Sequence, residues 1–295
     1  ERYTSGTNPL QAAAGLWEIP VPIVTEDNLE FSNHTPTIWL SKDTSSINYA
    51  HNTSKWIVLN PDAFGYYRVL YDADLLKLIQ YEIQKRDSKI SGLSKSQLID
   101  DYFSFAKLGH VPITTALDMT TFLQNETDFV VWFSLFNNLQ RALQLFSNED
   151  MTAFRKYLGP KIDSVLDAIS WDQGYDKGTK VIFRTKLADW ACALGSEGCV
   201  RTSMSLFEKW KSNDTGANPI TLDMQPVIYC AIVANGGDAA FEFILEQFKQ
   251  TRTTESQKEK LLKSLSCSKN TIHLLTLIDM ALDPNSQVRK SIVSV

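Results

Sequence analysis

The spacing of apolar and polar residues changes along the chain. The first part carries short runs in which apolar residues alternate with polar or turn residues, for example at 16–23 and 36–40, and this alternation is typical of β-strands. From about residue 91 onward, apolar residues recur every three or four positions, which is typical of amphipathic helices. The pattern predicts an α+β multidomain fold, with a small β domain at residues 1–88 and an all-α domain at residues 89–295.

Apolar stripes separated by polar loops predict a succession of helices in the second domain. Ser94 and Gln97 fit a capping box, Gly109 stands where that helix should end, and Asp128 is placed to cap a later helix. Further helices are predicted near 149–168, 177–194, 198–212, 222–235, 238–250, 255–266 and 271–282. Helices of this length with short connections are typical of a HEAT- or armadillo-like superhelical array, in which neighbours bury one another's apolar faces.

The two parts meet in the stretch WIVLNPDAFGYYRVLYD, residues 56–72. Trp56 and Val58 share one face of an extended segment, and Tyr67 and Tyr71 share one face of the next, because side chains alternate along a strand. These two segments are expected to form a hairpin-like pair. The segment therefore predicts a junction between a β domain and a helical domain.

Turn and capping residues complete this junction. Asn60 and Gly65 supply turn chemistry between the two extended segments, and Asp72 is placed to accept hydrogen bonds from the free amides of the following helix. Arg68 lies on the face opposite Tyr67. We expect it to pair with a carboxylate of the helical domain rather than with a substrate.

Composition excludes several classes of protein. The 295 residues carry a net charge of −5 and are 43% hydrophobic, which gives no basic footprint for nucleic acid and enough apolar residues for a sizeable core. No apolar run approaches the ~20 residues of a membrane-spanning helix, and the N-terminus lacks the pattern of a signal peptide. Any membrane attachment is therefore expected to come from an anchor outside this sequence.

No catalytic or metal-binding arrangement is recognisable. No two of the four histidines, His34, His51, His110 and His273, stand four positions apart, so a local zinc site of the His-Glu-x-x-His kind cannot form. A zinc site assembled from distant elements is the alternative. Acidic pairs such as Asp100–Asp101 are more often helix caps or dipole partners than a general acid and base.

Four cysteines permit three disulfide pairings. Cys192 and Cys199 flank a turn between two predicted helices, and Cys230 and Cys267 lie two elements apart. Adjacency in an antiparallel array favours these two pairs, while a four-thiolate zinc site is the alternative.

Four N-glycosylation sequons begin at Asn33, Asn52, Asn125 and Asn213, each in a polar, turn-like context. Together with the cysteines they favour an extracellular or luminal location.

The junction stretch resembles the segment W-x-x-x-N-x-x-x-x-G-(Y/F)-(Y/F)-R-V-x-Y-D of zinc aminopeptidases of the aminopeptidase N type. The shared positions are Trp56, Asn60, Gly65, Tyr66, Tyr67, Arg68, Tyr71 and Asp72. The later stretches ADWACALGSEGC, VIYCAIVANGG and LSCSKN extend the resemblance over nearly the whole chain. The family's His-Glu-x-x-His and Gly-x-Met-Glu-Asn stretches are absent from this sequence.

The resemblance implies a fold and a function. The fold would be a small β-sandwich, of which Glu1–Tyr3 would be the stub of a further strand, leading into a large helical domain, with the Cys192–Cys199 and Cys230–Cys267 pairs. The chain would be the non-catalytic C-terminal half of a zinc aminopeptidase, cut at both ends. It would itself bind no zinc, and its helical domain would cap the catalytic chamber.

The resemblance also implies partners and a location. An upstream catalytic domain would bind zinc and act on peptides at the extracellular face of the plasma membrane. The loops look somewhat like those of insect gut enzymes, which are lipid-anchored. The alternative function is that of a protein-binding module on which a toxin or virus docks.

Overall fold

The computed structural model describes residues 18–41, 46–142, 148–171, 178–213, 217–250, 254–283, 285, 286 and 288. These ranges contain four short strands and eleven α-helices, so the described protein is mostly helical. The predicted strand stub at Glu1–Tyr3 and the final residues 289–295 lie outside the described residues.

The strands form two small antiparallel sheets. They are β1 (Ile19–Val21), β2 (Ile23–Thr25), β3 (Ile38–Leu40) and β4 (Ile57–Leu59). In one sheet β1 pairs with β3, with Pro20 opposite Trp39, and in the other β2 pairs with β4, with Val24 opposite Val58. Because Pro22 separates β1 from β2, the chain moves from one sheet to the next at a residue that has no amide hydrogen. A complete β-sandwich remains a prediction.

The helices follow one another with short connections. They are α1 (Ala73–Ile83), α2 (Gly92–Lys107), α3 (Ile113–Asp118), α4 (Phe129–Ala142), α5 (Asn148–Ile169), α6 (Thr179–Leu194), α7 (Glu197–Lys211), α8 (Gln225–Asn235), α9 (Gly237–Lys249), α10 (Glu255–Leu265) and α11 (Thr271–Leu282). The bounds from α5 onward agree closely with the helices predicted from apolar spacing.

Two predicted helix ends follow the expected capping chemistry, and a third is corrected. The Asp72 side chain accepts from the backbone amides of Asp74 and Leu75 at the start of α1, as predicted. Helix α2 is capped by Ser91, whose hydroxyl accepts from the Ser94 amide. The predicted capping box starting at Ser94 is therefore wrong, because the helix begins one turn earlier. Gly109 follows α2 with a φ of +76°, a conformation that favours glycine.

The chain divides into two compact units. The first consists of residues 1–123 and 130–144, and the second of residues 124–129 and 145–295. In the second unit each helix packs against the next one or two along the chain, as in α7 with α8 and α8 with α10. This neighbour-to-neighbour packing is what a helical array requires, although the HEAT or armadillo assignment and the domain boundary at residue 88 remain predictions.

Candidate functional site

Asn60 is the central residue of the junction. Its side chain is fully buried, and its backbone lies in the left-handed region, with φ 55° and ψ 47°. The side-chain amide donates to the carbonyls of Gly65 at 2.9 Å and Tyr67 at 3.0 Å, and the side-chain carbonyl accepts from the Gly65 amide at 2.6 Å. One side chain thus satisfies three backbone groups of the turn, and asparagine is also a residue that tolerates this backbone conformation.

Gly65 is required by the close packing of this turn. A Cβ placed on it would lie 2.3 Å from Cε1 of Tyr67 and 3.1 Å from Oδ1 of Asn60, and the first distance is too short for any side chain. The Tyr67 ring can cover the turn because residue 65 has no side chain. Its hydroxyl donates to the Pro20 carbonyl at 3.0 Å, and burial raises the pKa of Tyr67 to about 12.

The segment after the turn differs from the predicted strand. Residues 67–71 form no strand, so the hairpin-like pairing is wrong, and β4 pairs with β2 instead. The backbone groups here bond to side chains: the Tyr71 amide donates to the Tyr102 hydroxyl at 3.3 Å. The Leu59 amide in turn donates to the Tyr71 hydroxyl at 2.9 Å. Side chains from distant positions thus replace a strand partner.

Arg68 pairs with two carboxylates of α2, as the sequence predicted. Its Nη1 lies 2.5 Å from Oδ2 of Asp100 and 2.9 Å from Oδ1 of Asp101. Asp101 also accepts from the Val69 amide at 3.1 Å. The two aspartates lie in the middle of α2, so their interpretation as helix caps is wrong. The positive charge of Arg68 is paired with these carboxylates of the same chain.

The pKa of the Asp101 carboxyl is set by opposing effects. Asp101 is 2% exposed, and burial raises its pKa to about 6, while the Val69 amide and the Arg68 guanidinium act in the opposite direction. Burial is the largest effect because removing the charged carboxylate from water costs more free energy than the contacts with Val69 and Arg68 provide.

Ser94 and Gln97 connect α2 to the junction turn. The Ser94 hydroxyl accepts from the Asp62 amide at 2.9 Å, and Oε1 of Gln97 accepts from the Ala63 amide at 3.0 Å. Both side chains lie within α2 and are buried. Their contacts are more than thirty residues away in sequence, which no local pattern reveals.

The junction also contains one residue that is turned fully to solvent. Tyr66 has a relative exposure of 101%, whereas Trp56 is 2% exposed. Trp56 therefore contributes to the packing of the junction, whereas the Tyr66 side chain is open to contact with another molecule.

The structure joins Cys192 to Cys199 and Cys230 to Cys267, with Cα–Cα distances of 5.2 Å and 5.3 Å. These are the two pairs that adjacency in the helical array favoured, and the four-thiolate zinc alternative is therefore wrong for these residues. The first bond closes the turn between α6 and α7, and the second links α8 to the end of α10.

The sequon asparagines lie at or near the surface. Asn33, Asn52 and Asn125 are exposed and Asn213 is partly exposed. The side-chain Oδ1 of Asn33 accepts from the Thr35 amide at 3.1 Å, and the side-chain Oδ1 of Asn52 accepts from the Ser54 amide at 3.0 Å. Both sequons thus occupy turns. Glycosylation of the four sites remains a prediction.

A serine, histidine and aspartate come together around His273, which sequence spacing did not reveal. The Ser268 hydroxyl lies 2.8 Å from Nδ1 of His273, and Oδ1 of Asp238 lies 3.0 Å from its Nε2. The imidazole also stacks on Phe241 at 4.0 Å. Ser268 and His273 are each 8% exposed, and Ser268 also accepts from the Asn270 amide. The arrangement anchors the start of α11 and presents no exposed nucleophile.

The other histidines make separate contacts. His34 stacks on Phe64 with 4.5 Å between ring centroids, and His110 packs edge-on against Phe105. In the part of the chain that the structure describes, no three His, Cys, Asp or Glu side chains are grouped so that they could hold a metal ion. The residues present there do not fit a zinc site. No helix among the described residues has both the length and the apolar character needed to cross a membrane.

Comparison with known proteins shows relatives over most of the chain. It is 27% identical over 282 residues to Aminopeptidase Ey of Gallus gallus, covering 93% of this chain and 28% of that protein. It is 31% identical over 245 residues to Aminopeptidase Q of Acinonyx jubatus, covering 79% and 24%. It is 28% identical over 288 residues to the thyrotropin-releasing hormone-degrading ectoenzyme of Mus musculus, covering 95% and 26%.

The chain spans about a quarter of the length of these relatives. The family described as "ERAP1-like C-terminal domain" matches residues 56–295. That match begins at Trp56, the first residue of the junction stretch, and continues through all eleven helices. The chain therefore belongs to the family of ERAP1-like C-terminal domains.

Proposed function

We propose that this chain is the non-catalytic C-terminal region of a zinc-dependent aminopeptidase that removes N-terminal residues from peptides. The observation that carries the proposal is the family match over residues 56–295. It is supported by relatives that are named aminopeptidases and of which this chain spans about a quarter. Zinc would supply Lewis-acid and water-activating chemistry on an upstream domain, since the described residues of this chain do not fit a metal site.

The helical domain would then cap the chamber of the catalytic domain. A helical array suits this role because its elements stack into an extended, curved wall that excludes large molecules while admitting short peptides. The junction supports the capping role because its contacts hold the segment between β4 and α2 in place: Asn60 bonds to the turn, and Arg68 pairs with Asp101 of α2. A rigid connection would hold such a cap in register with the domain before it.

The proposed location is the extracellular face of the plasma membrane. Two disulfides are typical of proteins that pass through an oxidising compartment, and exposed sequons at Asn33, Asn52 and Asn125 are accessible for glycans. Attachment to the membrane would come from an anchor outside this chain, as in the lipid-anchored insect gut enzymes.

Hydrolysis of an aminoacyl chromogenic substrate tests the proposal. The 295-residue chain alone should release no chromophore, with or without added zinc. A longer protein that includes the proposed upstream domain should hydrolyse the substrate and should lose this activity on treatment with a chelator. Metal-dependent turnover by the chain alone would contradict the assignment, as would the lack of a His-Glu-x-x-His stretch within a few hundred upstream residues.

A second candidate function is a docking module for another protein, such as a toxin or a virus. Helix α11 favours it because Ile272, Leu275, Ile278 and Leu282 are each more than half exposed, and exposed apolar clusters are frequent at interaction sites. Immobilised chain should retain such a partner on a sensor surface, and Leu275→Ser with Ile278→Ser should abolish retention. Unchanged retention by this variant would place the docking site elsewhere.

A further inference from the structure

A shallow groove lies on the second compact unit, between α6 and the chain that enters α8. Its volume is about 470 Å³, which is within the ~300–1,000 Å³ typical of ligand-binding clefts. The lining includes Val181, Ile182 and Lys186 on α6, and Asp223 and Val227 on the other side.

The apolar part of the groove is open to solvent. Ile182 is 58% exposed, and Val181 and Val227 are partly exposed. Covering such side chains with an apolar group removes surface from water, which is favourable by ~25 cal/mol per Å². The groove therefore favours an aliphatic occupant.

One acidic group in the groove, Asp223, forms no ion pair with the residues that the structure describes. Lys186 and Asp189 form a pair on α6 at 3.7 Å, whereas no cation of the described residues lies within ion-pair distance of Asp223. Beside Asp223 in the sequence, the Lys260 ammonium donates to the Leu222 carbonyl at 3.1 Å and to Gln225 at 3.3 Å. Because Lys260 does not line the groove, Asp223 is the group that a bound cation would meet.

The length of the groove points to a chain rather than a simple amine. Val181 and Asp189 are eight positions apart on one helix, which places their backbones about 12 Å apart. This distance corresponds to about four residues of extended polypeptide. A single ammonium compound would satisfy Asp223 and leave the aliphatic side chains of the groove uncovered.

We infer that this groove binds an extended peptide segment with aliphatic side chains and one lysine or arginine. The aliphatic groups lie on Val181, Ile182 and Val227, and the cation lies beside Asp223. The inference goes beyond the proposed function and does not rest on it, because no catalytic residue takes part.

Methyl NMR of the 295-residue chain, labelled at isoleucine and valine, tests this. The probes are three end-blocked tetrapeptides that share three aliphatic residues and carry lysine, glutamine or glutamate at the fourth position. The lysine peptide should shift the methyl signals of Ile182 and Val227 and leave that of buried Ile79 unchanged. The glutamine peptide should bind several-fold more weakly, and the glutamate peptide should bind least.

Substitutions at the surface then locate the cation. Asp223→Asn should weaken binding of the lysine peptide about fivefold, which corresponds to ~1 kcal/mol for an exposed ion pair. It should leave binding of the glutamine peptide unchanged. Asp118→Asn, an exposed carboxylate in the first compact unit, is the matched control and should have no effect.

Substitutions of the apolar wall and of Lys186 complete the test. Ile182→Ala should weaken all three peptides together, and Lys186→Gln should tighten the lysine peptide, since it removes a competing cation. Equal binding of the lysine and glutamate peptides, an unchanged affinity in Asp223→Asn, or no methyl shift at millimolar peptide would each overturn the inference.

Discussion

The junction at residues 56–72 and the helices of the second compact unit are held by different kinds of contact. In the junction, backbone groups bond to side chains that come from distant positions, as the Tyr71 amide does to Tyr102 and the Val69 amide does to Asp101. In the second unit, helical backbone groups bond chiefly within their own helix, although the Gly198 amide at the start of α7 donates to Asp163 of α5. Apolar side chains and the disulfides Cys192–Cys199 and Cys230–Cys267 connect those helices.

The difference predicts how each region responds to substitution. A junction side chain such as Asn60 serves several backbone groups at once, so its loss leaves several partners unsatisfied. A helical residue usually contributes one packing contact, and the helix around it keeps its own hydrogen bonds. Stability in the junction should therefore depend on a few residues, while in the helical unit it should be spread over many.

Asn60→Ala should be the most damaging single substitution in the junction. It removes three hydrogen bonds and places alanine in a left-handed conformation, for a combined loss of about 4–5 kcal/mol. Urea denaturation followed by circular dichroism measures the free energy of unfolding. Asn125→Ala, at an exposed position, is the control and should change it by less than about 0.5 kcal/mol. Similar values for the two variants would remove the distinction between the regions.

Removing each disulfide tests how much the covalent bonds between helices contribute to the stability of the helical unit. The bonds span 37 and 7 residues, and the loop-entropy relation gives about 4 kcal/mol for Cys230–Cys267 and about 2 kcal/mol for Cys192–Cys199. The double alanine variants should therefore unfold at lower urea concentrations in that order. A larger loss for the short loop would show that native packing at the turn, rather than chain entropy, determines the effect.

The same glycine-to-alanine change should cost more in the junction than in the helical unit. Gly65→Ala brings a Cβ to 2.3 Å from the Tyr67 ring, which should cost about 2–3 kcal/mol. Gly159→Ala lies inside α5, where the new Cβ meets Ser196 at 3.7 Å but also approaches the ring of the following Pro160. The gain in helix propensity offsets part of that clash, so the net change in the free energy of unfolding should stay within about 1 kcal/mol. Thermal unfolding measures the stability of both variants. A loss in Gly159→Ala as large as that in Gly65→Ala would show that the helical unit is as tightly constrained as the junction.

The pH dependence of stability examines a single junction group. Asp101 has a pKa of about 6 in the folded protein and ~3.9 when unfolded. The folded state therefore retains a proton that the unfolded chain releases, so this contribution is present below about pH 4 and is lost as the pH rises through about 6.

Asp101→Asn lacks this titration and serves as the reference. The difference in free energy of unfolding between the protein and this variant should fall by about 2 kcal/mol from pH 4 to pH 7. The charged groups that face Asp101 are Arg68 and Asp100, and both are present in the variant. A difference that grows with pH would mean that attraction to Arg68 outweighs the cost of burial.

The sequence was informative where structure depends on neighbours along the chain. Helices such as α10 and α11 were predicted closely because apolar residues at helical spacing define one buried stripe and polar residues mark the ends. The pairing of Arg68 with a carboxylate of the helical domain was also predicted, from its place on the face opposite Tyr67.

The sequence was misleading where a residue serves a distant partner. Ser94 and Gln97 have the spacing of a capping box, yet they bind the turn at residues 62–63, and Ser91 caps the helix. Residues 67–71 alternate like a strand, yet the Val69 and Tyr71 amides donate to side chains of α2. The Ser268, His273 and Asp238 cluster depends on a fold that brings α9 beside the start of α11, which no spacing rule includes.

The anchoring of α11 has a consequence for its dynamics. Its buried side chain is that of His273, while Ile272, Leu275 and Ile278 are exposed. Little apolar contact must break for this helix to separate, so its amides should exchange with deuterated solvent earlier than those of α8. The Lys269 side chain is already exposed, and each such opening would also free the backbone around it, so trypsin should cut there faster than within α8.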